Sequence, residues 1–310
     1  MECAYVELTR KCNLKCSFCS LGGRGDEHSE DFLKKIIKNY AKKGFKKLML
    51  TGGEPLLIEN LEEFIRYGLE VGFEQISLQT NGTHLTKQKA RMLKKSKIDN
   101  INISIHSHIP ECEDSIMKGT SVLSKQLKGI SNAHSEGIFC LVTIVINKEN
   151  YEHLPQFLDF MLSKYPYVIH YTLNFVEAVG RAKDNKEIVP RYVDVELFLA
   201  KALFKLKKAK KSFRVERVPL CYMTEFAEYS TELRRIITKE QNIGFRGASR
   251  SSFNENYFNK MYRKGEPCSV CFLDKICPGV NKNYVTLYGL SELYPIFINP
   301  KKIILKSGAD

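Results

Sequence analysis

Cys12, Cys16 and Cys19 lie in the stretch TRKCNLKCSFCS, separated by three residues and then by two. Thiolates at that spacing can wrap one face of a metal centre. Four of them would saturate a zinc ion or close an iron–sulfur cluster. Three on a four-iron cluster leave one iron without a protein ligand, and that iron is free to bind another molecule. A structural zinc loop is the competing reading of these three residues taken alone. Lys11 and Lys15, beside the thiolates, would offset a cluster's negative charge.

A second group stands near the end of the chain: Cys268, Cys271 and Cys277 in CSVCFLDKIC, with Cys221 upstream. Cys3, Cys112 and Cys140 are scattered and read as small buried hydrophobes. The sequence has no signal-type leader, and its longest apolar run, IFCLVTIVI at 138–146, is too short to span a bilayer. A cytoplasmic protein with no membrane partner is expected. There, clustered cysteines point to metal or redox chemistry rather than disulfides.

The elements that must carry these residues alternate regularly. Strands are expected at 5–9, 47–51, 75–80, 100–106, 139–146 and 169–176, each short and rich in β-branched or aromatic residues. Amphipathic helices are expected at 29–43, 59–71, 86–96, 121–136 and 151–165. Asn60 with Glu63 has the form of a capping box, and Gly44, Gly72 and Gly137 sit where helices should end. Alternating strands and helices mean a parallel sheet, either open and doubly wound or a curved partial barrel. In both, function belongs at the carboxyl ends of the strands. The three cysteines, GGEP (52–55), NG (81–82), HSH (106–108), Asn147 and GRA (180–182) all follow expected strands. Past about residue 185 the alternation fades. A basic helix (about 193–211), an irregular segment (240–266) and the second cysteine group are expected there. The division is therefore 1–185 and 186–310.

With CNLKCSFC read as C-x3-C-x-aromatic-C, Phe18 being the aromatic, the sequence resembles the radical S-adenosylmethionine (radical SAM) superfamily. GGEP after the second strand strengthens the resemblance and removes the zinc-loop reading. The resemblance covers about 1–182 and implies an α/β fold, a partial (β/α)6 TIM-type barrel, followed by a smaller, irregular cysteine-containing domain. It implies that Cys12, Cys16 and Cys19 hold a [4Fe-4S] cluster whose open iron chelates S-adenosyl-L-methionine. One electron then releases a 5′-deoxyadenosyl radical that takes hydrogen from a substrate. Phe18, Gly52, Gly53, Glu54, Gln79, Asn81, Ser104 and Asn147 would bind the cosubstrate, with the Glu54 carboxylate facing its ammonium. GRA is similar to a segment near the adenine, whereas His106 and His108 receive no role.

CSVCFLDKIC resembles part of the SPASM and twitch extensions, although the full pattern has a further cysteine where this chain has Asn281. The resemblance implies one auxiliary [4Fe-4S] cluster on Cys221, Cys268, Cys271 and Cys277. A structural zinc on the same thiols, a free Cys221 leaving an open iron, and Cys221 as hydrogen donor remain alternatives. The expected activity is modification of a peptide or protein side chain, with a flavodoxin- or ferredoxin-type reductant. The net charge of +13 suits an acidic segment of such a substrate, or a solvated lysine face. No separate leader-binding domain is expected. RNA or a small metabolite is the alternative substrate, and a non-catalytic iron–sulfur or zinc protein the alternative class.

Overall fold

The computed structural model describes residues 3–22, 27–240, 242–246, 249–253 and 255–307. The expected elements are present as β1 (Cys3–Thr9), α1 (Glu30–Lys42), β2 (Lys47–Gly52), α2 (Leu61–Glu70), β3 (Gln75–Thr80), α3 (Lys87–Lys95) and β4 (Asn100–Ser104). There follow α4 (Pro110–Met117), α5 (Val122–Ser135), β5 (Phe139–Ile146), α6 (Leu154–Lys164) and β6 (Val168–Phe175). The helix α4 is the one element of this region that the periodicity did not announce. Gly44, Gly72 and Gly137 do follow helix ends, and the buried Phe45, Phe73 and Ile138 just after them return the chain to the core.

The capping box at Asn60 does not form. Asn60 lies before α2 without a side-chain cap bond, because its amide donates to Glu30 on α1 instead. A hydrogen bond to a carboxylate is the stronger option.

The chain continues through α7 (Arg181–Asp184), α8 (Tyr192–Lys208), β7 (Ser212–Glu216), α9 (Thr231–Thr238), β8 (Asn242–Arg246) and β9 (Ser249–Phe253). These change the picture past residue 185. The sheet runs β7-β6-β5-β4-β3-β2-β1-β8-β9. Strand β7 joins β6 in parallel, β8 joins β1 in parallel, and β9 returns antiparallel on β8. The result is a curled parallel half-barrel of α/β type, and its two outer parallel strands come from beyond the expected boundary. One core cluster likewise runs from Ala4 through Tyr192, Leu199 and Leu206 to Tyr284 and Leu293. Asn242, on β8, accepts a hydrogen bond from the Cys3 backbone (2.9 Å) and so fastens the β1 edge. Among the described residues no helix is long and apolar enough to cross a membrane.

The two faces of the sheet differ in chemistry. Ile101, Ile103, Val142, Ile144, Tyr171 and Leu173 are buried on one face. On the other, Gln79 pairs across to Asn102, Ser104 to Thr143, and Thr143 to Thr172. Period-2 alternation therefore puts the apolar set under the helices and a polar set on the concave side.

A fragment ending at residue 185 would leave the β1 and β6 edges unpaired and uncover the core that α8 closes. Such a fragment is expected to aggregate or to melt without cooperativity by circular dichroism. A soluble fragment with a sharp transition would contradict the shared sheet.

Candidate active site

Residues 10–22 leave β1 as a loop with almost no regular structure, and neighbours hold it from several sides. Glu27 Oε1 accepts from Thr9 Oγ1 (3.1 Å), Arg10 N (2.6 Å) and Lys11 N (3.1 Å). The turn after β2 donates Gly53 N to Thr9 O (2.7 Å) and Glu54 N to Lys11 O (2.8 Å). From α4, Ile116 O accepts from Ser17 N (2.9 Å) and Met117 O from Lys15 N (3.3 Å). A turn joining Cys19 N to Cys16 O (3.1 Å) brings two of the cysteines together.

Gly52 and Gly53 are explained by this packing. A Cβ on Gly52, where φ is +136°, would stand 2.4 Å from Thr9 O, and one on Gly53 would stand 2.1 Å from Lys11 O. The glycines thus let the β2 turn lie against the cysteine loop itself, whereas the sequence suggested close approach to a ligand.

Glu54 and Asn147 differ from expectation. Glu54 is 0% exposed, and its carboxylate accepts from Thr80 Oγ1 (2.6 Å), Asn81 N (2.7 Å) and Leu56 N (2.9 Å). Burial pushes its carboxyl above the usual range, and these donors pull it back. Instead of facing an ammonium, the side chain ties the end of β2 to the end of β3. Asn147, also 0% exposed, closes its own turn: Nδ2 donates to Val145 O (3.0 Å) and Oδ1 accepts from Glu149 N (2.9 Å). Both side chains are thus buried and bonded within the protein. Asn81 donates to Asn13 Oδ1 (3.0 Å) and lies 3.9 Å from Cys12 Sγ, so it too braces the loop. Gln79 and Ser104 stay partly exposed on the concave face, and Phe18 is partly buried.

The three loop thiols are free and none is fully buried. Burial first, then the charges of Cys19 and Cys12, push the Cys16 thiol up. Leu14 N donates to Cys12 Sγ (3.4 Å), the kind of bond that stabilises a thiolate ligand. Met117 Sδ lies 3.4 Å from Cys16 Sγ. Lys11 and Lys15 are both exposed. The expected GRA segment lies on this loop: Arg181 N donates to Cys19 O (3.0 Å) and Arg181 Nη1 to Cys16 O (3.4 Å).

Two residues given no part by the sequence, His106 and Glu113, brace the rim at β4. His106 Nδ1 accepts from Val145 N (3.0 Å), which leaves the proton on Nε2, and burial pushes its pKa down to about 3. Its ring meets Phe18 edge-on at 4.9 Å. Glu113 Oε2 accepts from His106 N (2.9 Å) and Ser107 N (2.7 Å), and burial raises its pKa to about 7. Glu113 Oε1 and Gln126 Oε1 are both buried acceptors without a partner, while Gln126 Nε2 is committed to Ser104 O (2.8 Å). Burial favours the protonated Glu113 carboxyl, whereas the Gln126 side chain and the two backbone amides favour the carboxylate. The run SIHSHIPECEDSIMKG (104–119), which resembles one that recurs after the fourth strand in the superfamily, contains both residues and was the sequence signal of this network.

Beyond the barrel, Cys221, Cys268, Cys271 and Cys277 line a single cavity with Leu273 and Tyr294. Gly279 N donates to Cys277 Sγ (3.4 Å) and Ile296 N to Cys271 Sγ (3.3 Å). Burial, then Cys277, push the Cys221 thiol up to about 12. Among the described residues no three His, Cys, Asp or Glu side chains converge on a single-ion site. Asn281, at the position of the absent cysteine, donates to Glu177 Oε1 (3.1 Å) and thereby ties this region to the end of β6.

A half-barrel with three neighbouring thiols at the end of its first strand defines a class, and comparison supplies the same one. The Radical SAM superfamily profile matches residues 6–161, and the chain belongs to that superfamily. A probable GTP 3′,8-cyclase of Methanococcus maripaludis is 30% identical over 244 residues, covering 74% of this chain and 80% of that protein. Another, of Sulfolobus acidocaldarius, is 34% identical over 188 residues. The match spans 59% of each of those two chains, less than two thirds of the relative's length. Among solved structures, native anSMEcpe with bound AdoMet has a TM-score of 0.66 at 14% identity, covering 99% of this chain and 97% of that one. SuiB of Streptococcus suis bound to S-adenosylmethionine has a TM-score of 0.65 at 16% identity, covering 94% and 76%. These structural likenesses show the fold. The protein is a radical SAM enzyme, and its family implies a [4Fe-4S] cluster and S-adenosylmethionine.

Two outcomes follow from the site. Gly53→Ala cannot keep the loop contact, and the reconstituted variant is expected to retain less than half the parent's iron; full retention would contradict the packing role. Glu113→Gln mimics the protonated carboxyl. Because the folded pKa of Glu113 lies above its ordinary 4.5, its contribution is full below that value and lost as pH rises through about 7. In urea melts of cluster-free protein, Glu113→Gln should match the parent within about 1 kcal/mol at pH 6 and exceed it at pH 8. A large loss at pH 6 would show that the carboxylate form is the one required.

Proposed function

We propose that this radical SAM enzyme modifies a peptide or protein side chain, with Cys221, Cys268, Cys271 and Cys277 holding an auxiliary [4Fe-4S] cluster. The observation that carries the reading is the single cavity that these four thiols share. Four thiolates leave no iron open, so this cluster would exchange electrons rather than grip substrate. The backbone donors to Cys271 and Cys277 suit thiolate ligands. Support for the substrate class comes from extent. The likeness to anSMEcpe, solved also with bound Cp18Cys peptide, runs through the C-terminal cysteines. The match to the probable GTP cyclases stops at 59–74% of this chain.

Cys12, Cys16 and Cys19 would hold the catalytic cluster. When bound and reduced, that cluster supplies S-adenosylmethionine with the electron that yields a hydrogen-abstracting carbon radical. The protein's part is positional. The Gly52–Gly53 turn sets backbone beside the thiols, and Phe18, Gln79 and Ser104 are offered to the cosubstrate. Neutral His106 stiffens Phe18 from behind. The concave face, with Asn102 and Thr172 partly exposed, would give a polar substrate hydrogen-bonding partners. Electrons would come from a flavodoxin- or ferredoxin-type carrier.

A nucleotide substrate is the second reading, favoured by the 30–34% identity to the probable GTP 3′,8-cyclases. The two separate experimentally. Anaerobically reconstituted protein should carry roughly eight irons, falling to roughly four in Cys268→Ala/Cys271→Ala. Formation of 5′-deoxyadenosine should rise with acidic peptides and not with GTP. Four irons and one zinc in the parent would overturn the auxiliary cluster, and stimulation by GTP alone would overturn the peptide substrate.

A further inference from the structure

Positive charge is abundant near the catalytic thiols, but most of it faces water. Lys11 and Lys15 flank Cys12 and are exposed, so solvent and salt screen them. Arg181 is different. It comes from the far side of the half-barrel, at the start of α7 just beyond β6, and it is only partly exposed. Its guanidinium donates from Nη1 to the carbonyl of Cys16 (3.4 Å), while its backbone N–H donates to the carbonyl of Cys19 (3.0 Å). Gly180, just before it, comes so close that a Cβ there would lie 2.3 Å from Cys19 O and 2.6 Å from Ser20 O. The contact is thus built into the backbone on both sides.

The other end of the segment is fastened as well. Glu177 accepts from Asn281 Nδ2 (3.1 Å) and Asn283 Nδ2 (3.1 Å), and pairs with Arg217 Nε (3.3 Å). Residues 177–181 therefore form a short strap between the C-terminal region and the cysteine loop. Its one cation is set against two of the three thiolate-bearing residues.

We infer that Arg181 is a positioning residue that sets the reduction potential of the catalytic cluster by holding a fixed positive charge against the Cys16–Cys19 segment. A three-thiolate cluster becomes more negative on taking its electron. A nearby cation shielded from water favours that reduced state, and surface lysines do so far less. The inference rests on the cluster assignment at Cys12, Cys16 and Cys19, and it is independent of what the enzyme acts upon.

The test is a potentiometric titration of the anaerobically reconstituted full-length protein, followed by electron paramagnetic resonance. The catalytic cluster is identified as the signal that changes when S-adenosylmethionine is added. Arg181→Gln should shift its midpoint to more negative potential at unchanged iron content. Arg181→Lys should remain nearer the parent, and Lys11→Gln/Lys15→Gln should move it less than Arg181→Gln does. A parental midpoint in fully loaded Arg181→Gln overturns the inference, as does a larger shift in the double lysine variant. Loss of iron in both Arg181→Gln and Arg181→Lys would reduce Arg181 to a loop tether and likewise overturn the tuning role. Absence of any cluster from the parent would instead strike at the assignment of the three cysteines.

Discussion

A loop that offers three thiolates and leaves the fourth position open has no fourth protein bond to fix its shape. In this chain the surrounding backbone supplies the missing restraint. The Glu27 carboxylate gathers the loop's first amides, the Gly52–Gly53 turn lies against it, Asn81 braces Asn13, the end of α4 accepts from Ser17, and Arg181 closes the far side. Each brace comes from a different element. The half-barrel is therefore the scaffold that brings the ends of β2, β3 and β6 to one rim, and the loop inherits its order from them. Catalytic groups held by rigid supports rather than by their own loop are what a reactive site requires.

The braces use buried polar groups, most of whose atoms find local partners, while His106 Nε2 and Glu113 Oε1 are left without one. Glu54 is wholly buried and takes three donors, one of them the Thr80 hydroxyl. Glu113 takes two backbone amides on Oε2, and its Oε1 has no hydrogen-bond partner. His106 is kept neutral by burial, and its Nδ1 accepts from Val145. Placing these groups without partners would cost several kcal/mol in all. Paired, they fix the rim at β2, β3 and β4.

Much of this was legible in the sequence. The first six strands stand within two residues of their expected bounds, because short β-branched runs between amphipathic helices leave little choice. The cysteine spacing and GGEP announced the rim that carries chemistry. What was hidden depends on partners distant in sequence. Nothing local in residues 212–216 or 242–246 marks them as the outer parallel strands of the same sheet, since pairing with β6 and β1 decides it. Asn60 forgoes its cap for Glu30, and Glu54 and Asn147 turn inward. Each position was found correctly at a strand end, but the direction of its side chain was set by tertiary neighbours. Arg181 was visible only as part of GRA, and its meaning came from the Cys16 and Cys19 carbonyls more than 160 residues upstream.

The central claim is that the position left open by Cys12, Cys16 and Cys19 is where the cosubstrate binds. Pulsed electron paramagnetic resonance of the reduced protein with S-adenosylmethionine labelled with nitrogen-15 at its amino group addresses it directly. The account predicts a hyperfine coupling between that nitrogen and the cluster, lost when Cys16 is replaced by alanine. A fully loaded, reduced protein that binds S-adenosylmethionine but gives no such coupling would contradict it.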